Sequence, residues 1–342
     1  MSNLEAEPQE VICESSGTAS GRASGTASGT APDVDLPQPV EILTPREVPL
    51  GGPRAMLVRR TLPQRDRSLI GAWCFVDHYG PDNVSVSGGM RVPPHPHTGL
   101  QTVSWLFSGA IDHRDSTGVH ASVYAGELNL MTAGRGIQHS EVSTDTTTVL
   151  HGVQLWIALP EESRHTEPNF EHHVPPVTRS GVASLRVFLG EIAGTRSPVT
   201  TFSPLLGAQI DLPANSSVTL DLDLGFEHGL LVDTGQVTVG DVMADTAELA
   251  YLATGRPSIT LTAGASAARM LLIGGEPLNE QIVMWWNFIG RSHDEIVQYR
   301  SEWERDVTQG GTVSGRFGVV RGFDGPPLRA PAMPNVRLRP RR

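Results

Sequence analysis

Two short clusters carry the chemistry available to this chain: His95-Pro96-His97 and His139-Ser140-Glu141. In each, the two ionisable side chains are separated by a single residue. Residues two apart in an extended chain point to the same side. Two such strands lying side by side would gather three imidazoles and one carboxylate in one pocket. That is a full protein ligand set for one divalent transition metal, with room for water or substrate. Its softness and geometry suit Fe(II), with Mn, Ni, Co, Cu or Zn as alternatives. Three neutral imidazoles and a carboxylate leave such a centre with a net positive charge, so an anionic oxygen from a small aromatic or enolic substrate is a fitting further ligand. Glu141 is the ligand best able to loosen and take a proton, which makes it the expected catalytic base.

The elements that must position these groups read as strands. Val103, Trp105 and Phe107 alternate with Thr102, Ser104 and Leu106 between the clusters, a period of two. Pro93, Pro94 and Pro96 restrict the chain around the first pair, so its ligands are held before an ion arrives. Gly134 and Gly136 flank Arg135 just ahead of His139 and allow a tight turn; Arg135 itself is expected to pair with a carboxylate, the alternative being to settle an anionic substrate. Asp77 and His78 read first as a loop lock, with supporting or catalytic groups as the alternatives, and His113 and His120 as bystanders. Val153, Leu155 and Ile157 alternate with Gln154, Trp156 and Ala158. The polar stretch 161–176 reads as a linker, and its neighbours His172 and His173 face opposite ways, which is poor chelation geometry.

From Gly181 the alternation resumes, most cleanly at Val218, Leu220, Leu222 and Leu224. Short strands broken by Gly, Pro and Asp predict a jelly-roll barrel. This half has no second His-x-His or His-x-Glu, and only His228 falls in its expected interior. Ser292 followed by Glu295 signals a helix start, with Ile296, Tyr299 and Trp303 on one face. The expected fold is therefore all-β: two jelly-roll β-barrels in one chain, with a short C-terminal helix. The expected division is a disordered tail over 1–36, a metal-binding domain over 37–170, a metal-free domain over 180–290, and a helix with an extended tail over 291–342.

The chain has 342 residues and a formal charge of −11. Such an excess of acid disfavours direct nucleic-acid binding. No stretch is long and apolar enough to span a bilayer, and the start lacks the pattern of a signal peptide. Cys13 and Cys74 are the only cysteines, and the first lies among Ala-Ser-Gly-Thr repeats that have little to bury. A reducing, cytoplasmic location and a monomer are expected.

Longer motifs add a resemblance. Gly89, five intervening residues and then His95-x-His97 resemble the first cupin motif. The segment Gly126 to Glu141, containing Ala133-Gly-Arg-Gly and His139-x-Glu141, resembles the second conserved segment of the pirin branch. Asp77-His-Tyr-Gly-Pro81, His113-x-Asp115-Ser116-x-Gly118 and Gly274-Gly-Glu-Pro-Leu-Asn-Glu280 are similar to further pirin signatures. The resemblance, over roughly 40–305, implies two cupin domains, with His95, His97, His139 and Glu141 as ligands of iron in the first. It implies either a dioxygenase that opens flavonols such as quercetin, releasing carbon monoxide, or a metal-bearing regulator that binds protein partners. Gln101 departs from the pattern, because pirins usually carry glutamate there.

Overall fold

The computed structural model describes residues 38–50, 56–308 and 315–340. The Ser/Gly/Thr/Ala-rich tail expected to be disordered, and Cys13 within it, lie outside the described residues. The first half comprises β1 (Glu41–Leu43), β2 (Arg46–Leu50), β3 (Met56–Leu62), β4 (Trp73–Asn83), a helical turn α1 (Val84–Ser87), β5 (Arg91–His97), β6 (Leu100–Ser108), β7 (Ala110–Asp115), β8 (His120–Tyr124), β9 (Leu128–Thr132), β10 (Ile137–Ser143), β11 (Val149–Ala158) and β12 (Asn169–His173). The second comprises β13 (Thr178–Ser180), β14 (Ala183–Leu189), β15 (Glu191–Ile192), β16 (Thr195–Arg196), β17 (Leu205–Leu212), β18 (Ser217–Asp221), β19 (Glu227–Thr234), β20 (Val237–Val239), β21 (Val242–Ala244), β22 (Leu249–Leu252), β23 (Ser258–Ala263), β24 (Ala268–Gly275), β25 (Val283–Trp285), β26 (Phe288–Gly290) and α2 (His293–Thr308).

The all-β class and the C-terminal helix are present, but the expected closed barrels are not. Each half is an open sandwich. A seven-stranded sheet, β12-β9-β6-β11-β4-β3-β2, faces a four-stranded sheet, β5-β10-β7-β8; a second seven-stranded sheet, β1-β22-β19-β24-β17-β14-β13, faces β18-β23-β20-β21. Closure needs hydrogen bonds that run on from one edge strand to the other. In the first half, edge strand β5 carries Pro93, Pro94 and Pro96, which have no N–H to extend a ladder. In the second, edge strand β21 is only three residues long.

The first strand also departs from the order of the chain. Although it lies in the range expected for the first domain, β1 pairs with β22 of the second half, Leu43 opposite Leu249. The stretch read as a linker contains β12, which pairs with β9.

The two large sheets pack back to back, so each is buried on both faces. Val103, Trp105, Val153, Leu155 and Ile157 meet Phe188, Leu205, Leu231, Leu271 and Ile273 across the interface. Trp105 stacks on Phe188 at 4.5 Å and donates its indole N–H to Gln209 at 2.9 Å. The alternate residues Thr102, Ser104, Gln154 and Trp156 therefore point into the interior of the first sandwich rather than to water. In the second half, Val218 and Leu220 face the core while Thr219 and Ser217 pair outward with Thr260 and Thr262, as the alternation predicts.

Ser292 caps α2, accepting the Glu295 N–H at 3.2 Å. Glu295 reaches back to the Arg291 N–H at 2.6 Å rather than to Ser292 itself. Ile296, Tyr299 and Trp303 are buried as expected, packing with Trp285, Trp286, Phe288 and Phe317. Among the described residues no helix is long and apolar enough to cross a membrane.

Asp77 locks two strands rather than the expected loop, because it lies within β4 opposite Arg60 of β3. Its carboxylate receives Arg60 Nε and Nη2 at 2.7 and 2.8 Å, with both side chains buried. The guanidinium lies over Phe75 at 4.3 Å, and Phe75 stacks on Trp156 at 4.1 Å. Removing one partner of a buried pair strands the other charge, so Asp77→Ala should cost about 3–5 kcal/mol of unfolding free energy. Replacing both residues by leucine should cost clearly less. Denaturant midpoints of the three proteins check this, and equal losses would refute it.

Candidate metal centre

Strand β10 lies between β5 and β7, and its registers bring the two clusters together. His139 stands opposite His95, and Ile137 opposite His97. The register slips between His139 and Glu141, because Glu141 meets Val92 and leaves two residues of β5, Pro93 and Pro94, facing Ser140 alone. That bulge turns the Pro93 carbonyl onto the His95 ring. The tight turn ahead of β10 is also as expected: Gly134 has φ +51, and a Cβ there would sit 2.0 Å from the Thr166 carbonyl oxygen. Arg135 pairs with Glu167 at 2.9 Å on the surface.

The imidazoles of His95, His97 and His139 are fully buried, and one ring nitrogen from each lies within 4.8 Å of the others. Their other nitrogens are engaged. His95 Nδ1 donates to the Pro93 carbonyl at 2.8 Å, and His97 Nδ1 to the Asn287 carbonyl at 3.2 Å. A carbonyl only accepts, so both protons sit on Nδ1 and both Nε2 atoms carry lone pairs. His95 Nε2 is buried with no hydrogen-bond partner. His97 Nε2 faces His139 Nε2 at 3.1 Å. Burial pushes the His95 ring down to about 3; burial, then the neighbouring imidazoles, hold His97 and His139 well below the usual histidine range. Neutral rings with converging, unmatched lone pairs are what a divalent ion requires, so the residues present fit one.

His139 is held from behind. Its Nδ1 lies 3.4 Å from His113 Nδ1, and His113 Nε2 lies 3.2 Å from Asp115 Oδ2. Asp115 Oδ1 is fixed by the Thr117 N–H at 2.8 Å and the Thr117 hydroxyl at 2.6 Å. One polarity satisfies the row: His139 Nδ1–H donates to His113 Nδ1, and His113 Nε2–H to Asp115. His139 Nε2 is then left as a lone pair. Burial raises the Asp115 carboxyl, but the bonds from His113 and Thr117 outweigh it, and the group sits below its ordinary range.

Glu141 is buried beside His139 and His113, with its carboxylate within 4.8 Å of their ring nitrogens, but it is not within that distance of all three clustered imidazoles. Oε1 accepts the Ser104 hydroxyl at 3.1 Å, and the same hydroxyl lies 3.0 Å from Gln154 Oε1. Ser104 has one proton for two oxygens. The row is satisfied if the Gln154 amide turns its nitrogen, which otherwise lacks a partner, toward Ser104.

Of the remaining sequence candidates, Gln101 donates to Thr132 Oγ1 at 2.9 Å. His120 is an exposed neighbour of Asp112. His78 lies elsewhere: with His151 it donates to buried Asp233 Oδ1, each at 2.7 Å, tying the first sandwich to β19. This second group has metal-ligand side chains. Both N–H bonds already point at the carboxylate, however, and Arg269 stands 3.7 Å from its other oxygen, a poor setting for a further cation. The sequence reading missed His113 and Asp115 as supports. Their signal was present, because they repeat the spacing of the two clusters on β7, directly opposite Glu141 and His139.

Comparison with known proteins agrees with this architecture. Residues 55–157 match the pirin family model, and 207–308 the pirin C-terminal cupin domain. A Pseudomonas aeruginosa protein provisionally named quercetin 2,3-dioxygenase is 42% identical, over 85% of this chain and 90% of its own length. A pirin-like protein of Caulobacter vibrioides is 33% identical over 72% of this chain and 88% of its own. The crystal structure of a quercetin 2,3-dioxygenase from Acinetobacter baumannii superposes with a TM-score of 0.81 at 36% identity, covering 87% of this chain and 97% of that one. With both domain models matched in order and relatives this similar over most of the chain, the protein belongs to the pirin family.

Proposed function

We propose that this chain is a metal-dependent dioxygenase of the quercetin 2,3-dioxygenase type, acting on a flavonol or a related enolic aromatic. The observation that carries the reading is the set of three buried, neutral imidazoles, His95, His97 and His139, whose Nδ1 atoms are tied and whose Nε2 atoms converge, with Glu141 next to His139. The similarity to enzymes named for this reaction supports the substrate class. In this reading His95, His97 and His139 hold one ion through Nε2 and Glu141 completes the set, with Fe(II) the best match to the ligand types. The bound ion supplies a Lewis-acidic, redox-active centre for an enolate oxygen and dioxygen.

The protein's own part is to hold, orient and move a proton. Pro93, Asn287 and His113 keep the three rings in the tautomer that presents Nε2. Ser104 fixes one carboxylate oxygen of Glu141, and Glu141 takes the proton from the substrate's enolic hydroxyl. In the overall conversion both atoms of dioxygen are taken up, one ring opens and carbon monoxide leaves, so no external reductant is needed.

Chelation followed by reloading with Fe(II) should give about one ion per chain, as a single four-ligand set implies. His113→Phe should weaken that binding roughly 10–100-fold, read by competition with a chromogenic chelator. Unchanged affinity would remove His113 from the support of His139.

Glu141→Gln keeps the size and one oxygen ligand but removes the basicity. Turnover of quercetin in air, per bound ion, should fall by roughly 100-fold or more. Equal turnover per ion would leave Glu141 only a ligand. A fully loaded parent that does not bleach quercetin or any other flavonol would overturn the dioxygenase reading in favour of a metal-bearing regulator.

A further inference from the structure

The two halves of this chain are built to one plan. Read along the large sheets, β12, β9, β6, β11, β4, β3 and β2 correspond one for one to β1, β22, β19, β24, β17, β14 and β13. The small sheets correspond likewise, β5-β10-β7-β8 to β18-β23-β20-β21. The registers extend the match to single residues. Gln101, second in β6, stands opposite Thr132 at the end of β9 and Ile157, next to last in β11. His228, second in β19, stands opposite Leu252 at the end of β22 and Gly274, next to last in β24. His228 thus occupies in the second sandwich the place that Gln101 holds beside the imidazole cluster in the first.

At that place the second sandwich has a cavity of about 830 Å3, with His228 among its lining residues. It opens beside the β18–β19 connection, the counterpart of the turn that follows His97. His228 is 1% exposed, and neither of its ring nitrogens has a hydrogen-bond partner. Among the described residues no trio of metal-ligand side chains accompanies it. An imidazole with both nitrogens unmatched in a buried setting is costly, and this one is given room deliberately: a Cβ on Gly274 would lie 2.8 Å from its Cδ2. The Gly274-Gly275 pair noted in the sequence is part of that accommodation.

We propose that this cavity is a second binding site, taking a small uncharged aromatic molecule that bears a hydroxyl group, with His228 as its polar anchor. Its volume falls within the range of small-molecule sites. Ile192, Leu206, Leu222 and Phe226 give it apolar walls suited to a ring. Burial pushes the His228 imidazole down to about 4, so it is neutral at physiological pH and offers one N–H and one lone pair. A hydroxyl group, which both donates and accepts, matches either nitrogen. The lining carboxylates Glu191, Asp221 and Asp223 outnumber Arg196, the one lining guanidinium, which is itself paired with Glu191 at 2.5 Å. That balance repels anions and selects a neutral phenol over a carboxylate or phosphate.

The test uses the full metal-loaded chain with p-cresol as probe and toluene as the analogue lacking the hydroxyl. Binding is followed by calorimetry and by the ring signals of 15N-labelled histidines. p-Cresol should bind saturably and shift one histidine signal that is missing in His228→Leu. Its Kd should rise roughly tenfold or more in that variant, the loss of one buried hydrogen bond. Thr200→Trp, an exposed change at the cavity mouth, should weaken binding without touching the core, and toluene should bind the parent more weakly than p-cresol. Affinity that is unchanged in both variants would place the probe elsewhere, the imidazole cluster included, and overturn the proposal. So would unmoved His228 signals up to the solubility limit of p-cresol, which would leave only buried water as the partner of this ring. Equal affinity for toluene and p-cresol would overturn the anchor role.

Discussion

The structure depends on keeping three imidazoles neutral, in one tautomer, and aimed at one point inside a dry core. Burial removes the protons that solvent would supply, but burial alone leaves each ring free to choose which nitrogen to protonate. The choice is made by acceptors that cannot donate: a bulged proline carbonyl for His95, and for His97 the carbonyl of Asn287, far along the chain. The β25–β26 hairpin is therefore part of the centre, although none of its side chains is a ligand candidate. The same logic explains why Trp156 stands edge-on to His97 at 5.2 Å and is itself stacked on Phe75 over the Arg60–Asp77 pair. Ring orientation is passed back through packing to a buried ion pair.

Much of this was legible in the sequence because the strand period is short. A one-residue spacing in each cluster was enough to place His95 with His97, and His139 with Glu141, on common faces. The C-terminal helix was legible from its cap and its apolar face. The seven-stranded sheets were harder to read. Their alternation, Val-Gln-Leu-Trp-Ile over 153–157, suggests one wet face, yet both faces are buried and the mixed face is the functional interior. A tryptophan at the polar phase was the visible sign that this face was not solvent. Closure of the sheets was misjudged because strand rhythm does not encode what happens at an edge, whereas the prolines of β5 did carry that information. His113 and Asp115 were passed over because support of a ligand is a relation between strands, and a single strand does not display its neighbour.

The two sandwiches show one scaffold serving different chemistry. In the first, β5 and β10 carry His95, His97, His139 and Glu141, and Glu141 accepts from Ser104 of the facing sheet. In the second, the matching strands β18 and β23 carry Val218, Leu220, Ile259 and Leu261, which close the space with hydrocarbon. The single nitrogen-bearing ring that remains, His228, comes from the large sheet and not from the small one. The imidazole cluster thus resides in the small sheet, and the large sheets provide the common wall through which the halves are joined.

The pairing of β1 with β22 has a consequence for the order of assembly. In the first half the outermost strand, β12, is made directly after the sheet it completes. In the second half the equivalent edge is filled by the earliest described strand of the chain, which must wait for its partner until synthesis has passed Leu252. Until then Glu41–Leu43 is itself an unpaired strand, a row of free backbone donors and acceptors of the kind on which nascent chains mispair. Glu41–Leu43 acts as a latch that is made early and fastened only once β22 exists, so trimming the chain into this strand would leave one sandwich with a raw edge.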